Sequence, residues 1–273
     1  MKSFALSLAA ALGAAVCVSA QEIAPTDLYD LPPADVYILG ERHDNAVHHA
    51  HQAIAVEAVG AAALVFEMLT DVQALTVTPE MRRDPERLGT SLEWEASGWP
   101  DFEMYYPIFV AAPDAPIFGG AVPRDDVRRA VADGAAAVMG EAALVFGLDQ
   151  PLPEAQQLLR EAGQMSAHCD ALPADMLPGM VEAQRLRDAA MARAVIAAVA
   201  DTGGPVVLIT GNGHARTDWG VPAALALAAP ELSVVSIGQF EDRDEDTPYD
   251  RWPYDRWIVT EPAARDDPCA AFR

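Results

Sequence analysis

Lysine is all but missing from this sequence. Of its 18 basic residues the single lysine is Lys2, and the rest are arginines. Schiff-base chemistry, a lysine general base and a phosphate loop ending in GK[ST] are therefore excluded from the body of the chain. Positive charge as a whole is scarce, since 41 Asp and Glu residues leave a formal net charge of −23. A surface that acidic repels nucleic acid and anionic lipid, which argues against either as a partner; a cationic ligand or a metal remains compatible. Cysteine is scarce too, with three residues. Cys169 and Cys269 fit one disulfide across a long loop in an oxidising compartment, or two unrelated thiols, and no zinc-type spacing is present.

Long hydrophobic runs are confined to the start. "MKSFALSLAAALGAAVCVSAQE" carries Lys2, an apolar stretch from about Phe4 to Val18, and a small residue at Ala20. It reads as a secretory signal over residues 1–20, cut after Ala20, which predicts a periplasmic or secreted protein. The run is short for a membrane anchor and no stop-transfer charges follow it. Lipidation at Cys17 is disfavoured, because Val16 stands where a small residue is needed.

The rest, residues 21–273, reads as one α/β domain: a parallel-rich central sheet flanked by helices, with a helical insertion or cap over about 151–202. Continuous apolar runs at Asp35–Gly40, Ala62–Leu69, Ala115–Gly120, Gly204–Gly211, Leu232–Gln239 and Arg256–Glu261 alternate with helical stretches. That is the pattern of parallel strands buried on both faces. Between Pro151 and Thr202 two helices follow one another, Pro153–Cys169 and Ala174–Ala200, without a strand between them, which suggests a lid over the sheet edge. Residues 70–113 read as irregular, and "PYDRW" occurs twice near the end as a local duplication.

In a parallel sheet ligands collect beyond the carboxyl ends of the strands. The first strand ends "GERHD", the second "VFEM" and the fourth "GNGHAR". Glu41, His43, Glu67 and His214 thus come from separate segments to one sheet edge, each Gly-x-x-His unit pairing a turn-permissive glycine with an imidazole. The set suits a divalent metal, with His43, His214 and Glu67 as ligands, or a general base beside a carboxylate. The bland alternative is a scatter of caps and packed side chains. With Asp44 as the cap of a helix starting at Asn45, His48 and Gln52 share a face. His48 and His49 then stand behind the site or face its ligand, and His51 turns to solvent. On the long helix Gln184 and Asp188 share a face directed at the site.

The string from Gly40 to Gln52, "GERHDNAVHHAHQ", resembles the signature of ChaN-like haem-binding uptake proteins, relatives of the Tiki and erythromycin-esterase groups. The resemblance continues in order through "VFEM", "YYPIF" (Tyr105–Phe109), "PR" (Pro123–Arg124), "AQRLRDAAMA", "LITGNGHARTDWGVP" and "PYDRWIVTEP". It implies an envelope protein that binds haem for iron acquisition, with Glu41, His43, His48, His49, Glu67, Gln184, Asp188, His214 and Arg216 around the ligand and the stretch from Trp99 to Phe109 as an apolar wall. Tyr106 stands where the family commonly has Arg. The iron ligand stays open among Tyr105, Tyr106 and the histidines. Arg216 or Arg124 would offset the acidic surface toward haem propionates, and a flat exposed haem would favour a homodimer. The wider relatives imply a second expectation, a metal-dependent hydrolase with Glu41 or Glu67 as base. A third is a plain scaffold with no working site.

Overall fold

The six apolar runs all become strands of one sheet. The computed structural model describes residues 20–241, 252–267 and 269–270. The leader up to residue 19 and the first "PYDRW" copy up to residue 251 lie outside them. The strands are β1 (Gln21–Glu22), β2 (Val36–Glu41), β3 (Ala63–Phe66), β4 (Ile117–Gly119), β5 (Val206–Gly211), β6 (Val234–Phe240) and β7 (Arg256–Val259). Their order is β1-β7-β6-β2-β5-β3-β4, and every pairing is parallel. The two-residue edge strand β1 was not legible as an apolar run, because both its side chains are exposed.

Helices α1 (Ala46–Val59), α2 (Asp71–Ala74), α3 (Pro85–Ser91), α4 (Trp94–Ser97) and α5 (Phe102–Ala111) precede α6 (Arg124–Asp133) and α7 (Ala135–Met139). They are followed by α8 (Glu154–Ala167), α9 (Leu177–Thr202), α10 (Asn212–Ala215) and α11 (Val221–Ala228). The stretch expected to be irregular, residues 70–113, therefore carries four helices. Three of these have seven residues or fewer, too short to show a helical period.

Strands β2, β3 and β5 read as unbroken apolar runs because each face meets its own core. Tyr37, Leu39, Leu64, Phe66, Val207 and Ile209 face a cluster with Val56 of α1 and Ile108 and Phe109 of α5. Their alternating neighbours Val36, Ile38, Ala63, Val65, Val206 and Leu208 face Leu186, Met191 and Val195 of α9 and Leu225 of α11. Two-sided burial removes the polar alternation of a half-exposed strand.

This corrects the expected lid over residues 151–202. Helix α9 packs across β3, β4 and β5 as a full layer of the fold. Helix α8 alone behaves as a cap: none of its residues is buried, and it rests on α9. Cys169, just after α8, is bonded to Cys269, 100 residues on, with their Cα atoms 5.4 Å apart, so the disulfide alternative holds. The tail that carries Cys269 is also clamped by Arg265, which bonds Asp44 and Glu241 beside the end of β2. Among the described residues no helix is long and apolar enough to cross a membrane.

Candidate functional site

Register places the chemistry. Glu41 at the end of β2 is level with Gly211 of β5, and Phe66 of β3 is level with Ile209, so Glu41, Glu67 and the "GNGH" turn meet on three adjacent strand ends. The two glycines of the Gly-x-x-His units are required by close approach. A Cβ on Gly40 would lie 2.5 Å from Asn212 Oδ1 and 3.0 Å from the Ile237 carbonyl; one on Gly211 would lie 2.7 Å from His43 Nε2. The helix after β2 begins one residue later than expected. Asn45, not Asp44, is its cap and accepts from the Val47 amide, which leaves Asp44 free to bond Arg265.

Two imidazoles are each held at Nδ1 by a carboxylate. His43 Nδ1 lies 2.7 Å from Glu41 Oε1, and His214 Nδ1 lies 2.6 Å from Asp188 Oδ1. The Nε2 of His214 is 3.5 Å from Glu67 Oε1. Glu67 accepts from the Thr210 hydroxyl at 2.7 Å and the Gly211 amide at 2.8 Å through its other oxygen. His43 Nε2 has no hydrogen-bond partner among the described residues, and its ring sits 4.8 Å from that of Trp99.

Charge states follow from these partners. Burial works against a charged ring at His43 and His214, but the carboxylates beside them outweigh it and raise both pKa values. Burial would raise Glu41 as well, yet hydrogen bonds and charge from His43 and His49 hold it down to about 2. Glu67 is lowered against its burial by His214, His43 and its two donors. Asp188 is raised, with burial as the largest cause.

The three other histidines of the opening cluster stand behind this layer. His49 is fully buried. Its Nε2 bonds the His43 carbonyl at 2.9 Å, and its Nδ1 has Gln52 Oε1 at 3.2 Å and Glu41 Oε2 at 3.1 Å. Every neighbour is an acceptor, which favours a hydrogen on both nitrogens, and Glu41 raises the ring's pKa despite burial. His48 is the opposite. Its Nδ1 accepts the Arg42 amide at 2.9 Å and its Nε2 meets the Thr260 hydroxyl, and burial pushes it down to about 4. His51, expected in solvent, is buried: its Nδ1 donates to Gln239 Oε1 at 2.9 Å. Gln239 lies at the end of β6, which covers the side of α1 that local helix geometry leaves open.

A cavity of about 690 Å³ opens over these strand ends, within the range of small-molecule and cofactor sites. Glu41, His43, Glu67, Gln184, Asp188, His214 and Arg216 line it, while His48 and His49 do not. Trp99, Leu159, Trp219 and Phe240 give it apolar walls. Of the expected aromatic stretch only Trp99 reaches it; Phe109 stacks on Phe66 in the core. Tyr105 is fully buried and donates to Glu41 at 2.7 Å, and Tyr106 donates to the Arg82 carbonyl. Arg124 bonds the Ser97 carbonyl away from the cavity. Arg216 reaches the cavity but is paired with Asp218. Sequence reading missed Arg160, Arg187 and Trp219. Arg187 had a signal, since it lies three residues after Gln184 on the same face; Arg160 had none. Among the described residues no three His, Cys, Asp or Glu side chains are arranged to hold a metal ion.

The solved structure of ChaN of Campylobacter jejuni with cofacial haem binding matches this fold with a TM-score of 0.63 at 17% identity. The match covers 86% of this chain and 89% of that one. The type III effector HopBA1 matches with a TM-score of 0.42 at 15% identity, over 84% of this chain and 88% of that one, too weak a likeness to carry an argument. Among curated proteins no match is found. The model of the haem-binding uptake family (ChaN, Tiki superfamily) matches residues 28–225, which hold four of the seven strands and most of the cavity lining, and the chain belongs to that family.

Proposed function

We propose that the protein binds haem in this cavity and serves haem or iron uptake in the periplasm or outside the cell. One observation carries the reading: in a chain of this family, the unpartnered Nε2 of His43 stands at a 690 Å³ cavity with aromatic walls. A bound haem would supply an iron that an imidazole can ligate. His43 is the residue placed to hold it, since Glu41 fixes its ring through Nδ1, as carboxylates commonly orient a ligating imidazole. Tyr105 and Tyr106 are committed to protein acceptors. The oxidising location is supported by the Cys169–Cys269 bond and by the secretory pattern of residues 1–20.

The test is titration of the purified protein with haemin. A Soret shift saturating at a defined stoichiometry, and lost in His43→Ala, supports the reading. No saturable shift ends it, and unchanged binding in both His43→Ala and His214→Ala moves the ligand elsewhere. Size-exclusion chromatography with and without haemin reads whether the ligand recruits a second copy.

One observation favours a second reading, hydrolysis. His214 lies between Asp188 and Glu67 at the cavity floor, an imidazole oriented by one carboxylate for acid–base work. The expected metal ligands His43, His214 and Glu67 are not grouped to hold an ion as they stand, so no step is routed through one. Turnover of nitrophenyl esters that is lost in Asp188→Asn would support this reading. Metal analysis of the purified protein checks the ion independently.

A further inference from the structure

Most charged groups around the cavity face a close partner of the opposite kind. On the floor, Glu41, Glu67 and Asp188 face His43, His49 and His214. At the rim, Arg42 and Arg265 face Asp44 and Glu241. Arg216 is held by Asp218 through two nitrogens, at 3.0 and 2.7 Å. Arg160 of α8 and Arg187 of α9 also line the cavity; neither has an ion pair within 4 Å or a side-chain hydrogen bond among the described residues, and Asp188 and Asp218 act on Arg160 only from farther off. In a chain with 41 acidic residues and 18 basic ones, two unpaired arginines on one wall need an explanation.

Their surroundings point into the cavity. Arg160 stacks on the Trp219 ring, 5.3 Å from its centroid, while Arg216 stacks on the same ring at 3.8 Å. A cation–π contact leaves the guanidinium's donors unsatisfied, and the Arg160 Nε is buried with no acceptor. Gln164, one turn along α8, also lines the cavity and has a buried, unpartnered Oε1. Buried polar atoms without partners are rare in finished structures, and each leaves a free-energy debt that a ligand can cancel. A planar guanidinium matches a carboxylate, one N–H to each oxygen.

We propose that Arg160 and Arg187 form a carboxylate subsite that takes the two propionates of the bound porphyrin, with Gln164 and Gln184 completing its polar wall. The inference rests on the haem reading and adds the ligand's orientation: carboxylates toward α8 and α9, ring toward His43. It also answers how a protein of net charge −23 tolerates an anionic edge on its ligand. The cap helix α8, with no buried residue of its own, then gains an anchor when the cavity fills.

The test compares haemin with haemin dimethyl ester, in which both propionates are capped, titrated in matched detergent into the full chain. The wild type is expected to bind the diacid at least tenfold more tightly than the diester. Arg160→Gln and Arg187→Gln should each weaken diacid binding roughly tenfold, the loss of one charge-assisted contact, and leave the diester unchanged. Arg160→Lys, which keeps the charge, should retain part of the preference, and far-UV circular dichroism checks that each variant is folded. Equal affinity of the wild type for diacid and diester overturns the subsite and leaves the haem reading standing. So does an equal loss of both ligands in the Gln variants. If the wild type binds neither porphyrin, the haem reading and the subsite fall together.

Discussion

Replacing Glu41 by Gln keeps the shape of the side chain and removes the charge on which the floor is built. Glu41 is fully buried, accepts from Tyr105 and His43 through one oxygen and has the His49 ring 3.1 Å from the other. Burial alone would raise its pKa; the bonds and charges of His43 and His49 hold it at about 2 instead of 4.5. Because the folded value is depressed, the stabilisation is complete above pH 4.5 and disappears as pH falls toward 2. At 1.36 kcal/mol per pH unit it is roughly 3 kcal/mol, matching the 3–5 kcal/mol expected when one member of a buried pair is removed. For a chain of this size that is about 6–12 °C in melting temperature.

The assay is thermal unfolding of both proteins from pH 2.5 to pH 8. The gap between wild type and Glu41→Gln should be widest near pH 5–6 and close as the solution is acidified. Toward alkaline pH it should narrow too. His43 and His49 have raised pKa values, so their contribution is present below the ordinary imidazole range and lost as pH rises through the folded values. A gap that stays constant from pH 2.5 to pH 8 would refute the charge argument and leave a packing defect in its place. Absence of any gap at pH 6 would refute the pairing itself.

Three further outcomes follow from the same geometry. Asp188→Asn removes the negative charge 2.6 Å from His214 Nδ1, and with burial then less opposed, the His214 pKa should fall, read by NMR titration of its ring proton. Gly211→Ala puts a methyl 2.7 Å from His43 Nε2; haemin affinity should drop at least tenfold for a stability loss of about 1–3 kcal/mol, seen by parallel Soret and urea titrations. Cys269→Ser opens the 100-residue link to the end of α8 and should lower stability by roughly 2–4 kcal/mol in urea unfolding, with protease cleavage appearing first in α8.

What the sequence made legible was whatever is written in runs and at their ends. Strands buried on both faces announce themselves as unbroken apolar stretches, and in an all-parallel sheet their carboxyl ends converge, so Glu41, His43, Glu67 and His214 were findable together. Asp188 was findable because a four-residue spacing on a helix fixes a shared face. Arg160 was not, since its place depends on how α8 leans on α9 and on Trp219, a ring in a loop some sixty residues on. The short helices between residues 70 and 113 were missed because a helix of one or two turns has no period to read.

The histidine cluster shows where local geometry stops deciding. Residues 48, 49 and 51 sit on one helix in one stretch of sequence, and their spacing alone sends His51 to solvent. Each ring's state is instead set by a partner from elsewhere. His49 meets acceptors on every side and is pushed toward its charged form; His48 receives an amide hydrogen on Nδ1 and is held neutral; His51 is buried by Gln239, 188 residues away. Of the four rings only His43 lines the cavity, with Nδ1 anchored on Glu41 and Nε2 without a hydrogen-bond partner among the described residues, and that combination singles it out as the group placed to meet a ligand. Three rings fix the loop and the charge of the floor so that the fourth can be presented without a protein partner. Replacing His48, which holds the Arg42 amide, should therefore weaken haemin binding indirectly: restoring a side-chain acceptor with His48→Asn should rescue part of the affinity lost in His48→Ala, whereas no substitution short of another iron ligand should rescue His43→Ala.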